Sequence, residues 1–94
     1  MATCYAYEDR FGIVHGTKTK ATAEKYAVGN VVEYEGEADL GYVIIDNLQV
    51  FKNYDGEILI TDYKGKSRGG QRSLANAPES TRRKVNEFFK GLAL

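Results

Sequence analysis

The chain has 94 residues, 43% of them hydrophobic, and equal numbers of acidic and basic residues. That length suggests one domain over 1–94, and the apolar content is too high for a disordered chain. No apolar run approaches the length that crosses a bilayer, so no membrane association is expected. The opening, Met1 to Tyr5, has no basic segment followed by an apolar stretch, and Cys4 is the single cysteine. These features predict no secretory leader, no internal disulfide and a cytoplasmic location.

The zero net charge hides a polarity. Residues 1–62 carry five bases and eleven acids, a formal −6, whereas residues 63–94 carry eight bases and two acids, a formal +6. A region of one sign can attract a partner of the other.

Thr3 to Glu8 predicts a strand. Asp9 to Gly12 reads as a turn, and Phe11 to Thr17 as a second strand. Residues 19–30 stay open between helix and strand: Ala21, Ala23, Glu24, Lys25 and Ala27 favour a helix, Thr22, Tyr26 and Val28 a strand. Val31 to Asp39 alternates with period two, which predicts a half-exposed strand. Tyr42 to Ile45 and Leu48 to Phe51 are extended and apolar, Asn53 to Gly56 is a turn, and Glu57 to Thr61 returns. The prediction is a central hairpin over about 42–63. Lys64 to Gln71 reads as a basic, glycine-rich loop, followed by a short strand at Arg72-Ser73-Leu74.

The chain closes in a helix over about 78–91. Asn76 is the expected N-cap with Glu79 as its capping-box partner, and Pro78 suits the first turn. Val85, Phe88, Phe89 and Leu92 form an apolar stripe. The fold expected is α+β: an antiparallel sheet built on the hairpin with this amphipathic helix packed on it. Tyr42, Phe51 and one of Tyr5 or Tyr7 are expected in the core.

Several clusters bear on function. Lys64, Lys66, Arg68 and Arg72 bring four long cations and three glycines together, a composition that can follow a phosphate backbone. Gly65-Lys66-Ser67 does not make a nucleotide-binding P-loop, because Ile60 stands where that motif needs its first glycine. Arg82, Arg83 and Lys84 crowd the start of the helix, where the dipole disfavours cations; an anionic partner would compensate, and pairing with Glu79 and Glu87 would also do so. Glu33, Glu35, Glu37 and Asp39 form an acidic row. It lacks the loop and glycine of a calcium site, and is read as a solvated or edge-protecting face, or as a contact for a basic protein. His15 and Cys4 find no further ligand for a metal, and are read as a surface or core histidine and a core cysteine in preference to a Cys–His nucleophile pair, so neither metal nor cofactor is expected. Tyr63 adjoins the basic loop, where an aromatic ring can stack on a base.

Residues 42–90 resemble the septation-regulator family of stage V sporulation protein G. The likeness rests on Tyr42-Val43-Ile44-Ile45-Asp46-Asn47-Leu48-Gln49-Val50, on Asp55 to Ile60, on the lysine-rich loop with Gly69-Gly70-Gln71-Arg72-Ser73-Leu74, and on Ser80-Thr81-Arg82-Arg83-Lys84-Val85. The chain departs from that family at Asp62-Tyr63, where the family has a proline, and at Asn76-Ala77-Pro78, which replaces a His-Pro. The resemblance implies a small dimeric α+β protein that binds DNA or RNA and is not an enzyme, with contacts at Lys64, Lys66, Arg68, Arg72, Arg82 and Arg83. The sequence therefore leads to a non-enzymatic nucleic-acid-binding regulator, homodimeric. The alternative is a protein-interaction module, inhibitor or adaptor, using the acidic strand face.

Overall fold

A computed structural model describes residues 2–53, 55–64, 67–68 and 70–93; at 64, 67 and 68 only the backbone is described. The strands are β1 (Ala2–Glu8), β2 (Val14–Thr17), β3 (Val32–Asp39), β4 (Tyr42–Ile45), β5 (Leu48–Lys52), β6 (Ile58–Lys64), β7 (Ser67–Arg68) and β8 (Arg72–Ser73). The helices are α1 (Lys20–Tyr26) and α2 (Glu79–Ala93), with a 3-10 turn at Leu74–Asn76. Among the described residues the strands form one antiparallel sheet, ordered β2-β1-β3-β4-β5-β6-β7, with β8 also on β6. The α+β expectation is met. No helix among the described residues is long and apolar enough to cross a membrane.

Period-two alternation dictates what β1, β2 and β3 bury, whereas β4 and β5 bury consecutive residues on both faces. On β3, Tyr34 and Gly36 point inward while Glu33, Glu35 and Glu37 are exposed. Register carries this inner face across the sheet through Cys4, Tyr34, Val43, Val50 and Ile60. Helix α2 lays Val85, Phe88 and Leu92 on that face, and Leu74 and Ala77 close the same core. The helical stripe read from sequence is thus the packing face, with Phe89 partly buried beside it. The segment left open at 19–30 contains a helix, because Ala23 is small enough to sit fully buried against the sheet.

The central hairpin is in fact a three-stranded meander. Ile45 pairs with Leu48 across a two-residue turn in which Asp46 and Asn47 have φ of 53° and 63°. Asp and Asn tolerate this left-handed conformation better than other non-glycine residues, and paired left-handed residues match the twist of a tight hairpin. Two consecutive extended segments concealed that turn. The β3–β4 connection repeats the device with Leu40 (φ 52°) and Gly41 (φ 83°).

Asn76 does not cap α2. It lies in the 3-10 turn, where its side chain donates to the Ser73 carbonyl, and α2 begins with the Arg82 amide donating to the Pro78 carbonyl. Pro78 shifts the start because its ring disfavours helical backbone at the residue before it, and Ala77 is extended with ψ 159°. Among the described residues the core tyrosine is Tyr34, not Tyr42, Tyr5 or Tyr7. Register puts Tyr42 on the outer face, where it is 40% exposed, and Tyr5, Tyr7 and Phe51 are half-buried.

Candidate nucleic-acid interface

The β4–β5 turn organises one end of the molecule. Asp46 accepts hydrogen bonds from the Thr81 hydroxyl at 2.7 Å and from Lys84 Nζ at 2.9 Å. On the other side of the turn Leu48 pairs with Asp62, and Asp62 accepts from Arg72 at 2.8 Å. Arg72 and Lys84 are therefore brought to the same end of the sheet by two carboxylates flanking one turn. Arg82 and Arg83 stand in the adjoining first turns of α2, and Arg83 pairs with Glu79 at 3.3 Å. The Arg82 Nε is buried and has no hydrogen-bond partner.

Strand pairing adds the basic loop to this end. β6 pairs with β7 through Lys64↔Ser67 and Tyr63↔Arg68, and with β8 through Ile60↔Arg72. The backbones of Lys64, Arg68 and Arg72 thus lie along one edge of β6. Lys66 falls outside the described residues.

Charge pairing here is intramolecular where side chains are described. The hydrogen bond from Lys84, then that from Thr81, holds the Asp46 carboxyl below its ordinary range. Asp62 in turn holds the Arg72 guanidinium more firmly charged. The expected compensation for cations at the helix start is supplied by Asp46 and Glu79, the protein's own acids. Asp46 was not visible as a partner because it lies 38 residues from Lys84. The Arg83–Glu79 pair is well exposed, and such pairs contribute about 0–1 kcal/mol, so phosphate can replace the carboxylate.

Asp46→Asn isolates the charge of this half-buried side chain, since asparagine also tolerates the left-handed turn. The variant is expected to lose on the order of 1 kcal/mol at neutral pH, after allowance for solvent screening. A carboxyl with a lowered folded pKa stabilises fully above its unfolded value of 3.8 and loses that contribution as pH falls through the folded value. Urea melts across pH should therefore show the wild-type advantage at pH 7 and its disappearance in acid.

The acidic row divides. Glu33, Glu35 and Glu37 are exposed on β3, with Glu35 accepting from the Thr3 hydroxyl at 2.9 Å, while Asp39 is half-buried and accepts from the Tyr63 hydroxyl. Tyr63 is thereby engaged with β3 across the outer face of β4 and β5. Among the described residues no cluster of three or more His, Cys, Asp or Glu could hold a metal. Glu33 and Glu35 also border a groove of about 530 Å³, floored by Val32, Tyr34, Ile45 and Phe88, with Arg83 and Lys84 on the opposite wall. Burial pushes the Tyr34 phenol far up, so it stays neutral as a floor group.

Cys4 and His15 do not meet. Cys4 is buried on the inner face with its thiol toward the Gly36 carbonyl, whereas His15 pairs across from Tyr7 on the other face and bonds Asp9. The Asp9–His15 contact was missed in the sequence, although the turn at Asp9 was legible. Comparisons with protein-family models, with curated proteins and with solved structures give no match.

Proposed function

We propose that this chain is a small non-enzymatic regulator that binds nucleic acid through its basic end, chiefly by phosphate contacts. One observation carries the reading: Arg72 and Lys84, distant in sequence, are held at the same end of the sheet, Arg72 by Asp62 of β6 opposite Leu48 and Lys84 by Asp46 in the β4–β5 turn. Residues 63–84 taken with Asp46 and Asp62 hold seven bases against three acids, a formal +4. The bonded carboxylates therefore leave an excess of positive charge for a polyanion. The resemblance of 42–90 to the septation regulators supports the same surface and a two-copy assembly.

Fluorescence anisotropy with DNA and RNA oligomers over a salt series tests the proposal. The logarithm of affinity should fall linearly with that of salt, by about 0.9 per phosphate contact on a duplex. Arg72→Ala with Arg82→Ala should weaken binding and reduce the slope by about one for each contact removed. Absence of binding at low salt, or binding unchanged by the pair, rejects the proposal.

The groove between β3 and α2 favours a second reading, contact with a basic, amphipathic protein segment. Its apolar floor and the exposed Glu33 and Glu35 suit such a partner, and the basic end of a second copy has the matching charge. Glu35→Lys carried through the same experiments separates the readings. Added positive charge should leave or strengthen oligomer binding, but should abolish self-association measured by sedimentation.

A further inference from the structure

The end of the sheet away from the β4–β5 turn holds a second cluster. Lys52, at the far end of β5, reaches Glu8 at 3.6 Å, which places the β1–β2 loop there. That loop is held by its own hydrogen bonds. Asp9 accepts from the amides of Phe11 and Ile13 at 2.8 and 3.0 Å, and its other oxygen lies 2.7 Å from His15 Nε2. The loop's backbone is closed by bonds from Asp9 to Ile13 and from Gly12 to Asp9.

This hydrogen-bonded frame exposes apolar and aromatic surface. His15 stacks on Tyr7 at 5.1 Å and 29°, and Tyr7 stacks on Tyr26 at 6.4 Å and 27°. The column ends at Tyr26, 53% exposed, and Phe11, which lines the same cleft, is 71% exposed. Lys25 Nζ stands 5.5 Å from the Tyr26 ring centre and Arg10 5.0 Å from that of Phe11. These groups line a cleft of about 430 Å³. Asp9, the carboxylate in its lining, is already engaged by two amides and His15. Exposed rings held in a stack, with cations at their faces, suit a flat π-system that carries negative charge.

We propose that this cleft binds a nucleobase bearing a phosphate, the base continuing the Tyr7–Tyr26 stack toward Phe11 and the phosphate meeting Lys25 and Arg10. Such a group comes from a free nucleotide or from single-stranded nucleic acid. The site is separate from the basic end and stands whether or not that end binds nucleic acid.

The test is titration of the full chain with adenosine 5′-monophosphate, followed by NMR of the aromatic resonances, and with a 2-aminopurine-containing single-stranded oligomer, followed by fluorescence quenching. Shifts at Tyr7, Tyr26 and His15 with the mononucleotide assign a free-nucleotide site. Quenching by the oligomer without mononucleotide binding assigns a strand subsite. In either case Phe11→Ala with Tyr26→Ala should weaken binding at least about fivefold, the range of single base–aromatic stacks. Lys25→Glu, which leaves both rings in place, should weaken it too. Arg72→Ala with Arg82→Ala should leave mononucleotide shifts and oligomer quenching in place. The proposal is overturned if the mononucleotide gives no shifts and oligomer quenching is absent, or if quenching survives the Phe11 and Tyr26 substitutions in a folded variant.

Discussion

Gly36→Ala is expected to destabilise the fold by about 3 kcal/mol or more. A methyl group on Gly36 would lie 2.1 Å from the Ile44 carbonyl oxygen and 3.3 Å from its carbon. The obstacle is backbone, which cannot rotate away as a side chain can. Gly36 is also where β3 changes partners: Ala2 of β1 pairs with Gly36 itself, and Ile44 of β4 pairs with Glu37 next to it. Relief of the clash must part β3 from β4 and break the sheet at its middle. Overpacking in a core typically costs about 1–3 kcal/mol and sometimes more, and this contact is at the severe end. Against a total stability on the order of 5–10 kcal/mol for a domain of this size, a loss above about 3 kcal/mol is large. Circular dichroism in urea should show it as a much lower midpoint. Gly29→Ala is the control, since nothing lies within 4 Å of a methyl group there. Equal midpoints for the two variants would disprove the close β3–β4 approach.

Phe88→Ala is expected to cost about 3–5 kcal/mol. The ring is 4% exposed and touches both layers: edge-on to Tyr34 of the sheet at 5.5 Å, and to Phe89 of its own helix at 5.1 Å. Removal leaves a cavity between helix and sheet and forfeits two aromatic pairs worth about 0.5–1.5 kcal/mol each beyond burial. Phe88→Leu keeps most of the volume and should cost roughly half as much or less. The same ring floors the groove that Glu33 and Arg83 border. If the groove receives a partner, the leucine variant should remain folded yet bind that partner more weakly. A loss under about 1 kcal/mol for the alanine variant, read from urea midpoints, would contradict the packing of α2 described above.

The candidate interface shows where local reasoning stops. Basic residues at 64–72 and 82–84 are plain in the chain, and so is the polarity between its halves. Glu79, four residues before Arg83, is legible as a partner too, but Asp46 and Asp62 are not. Arg72 and Asp62 are 10 residues apart and Lys84 and Asp46 are 38 apart, and each pair depends on strand register around the Asp46-Asn47 turn. The aromatic column is similarly nonlocal, because Tyr7, His15 and Tyr26 come from β1, β2 and α1.

By itself the sequence determined the α+β class, the alternation of β3, the apolar stripe of α2, the turns at Asp9 and Asn53, and the separation of charge along the chain. These follow from energies between residues a few positions apart: side-chain periodicity, turn chemistry and helix propensity. Only the tertiary structure decided that 42–63 holds two turns rather than one, that Tyr34 is the tyrosine buried among the described residues, and that Lys84 at the helix start holds Asp46. Burial and long-range ion pairing depend on which strands become neighbours, and that choice is made by the whole core closing at once.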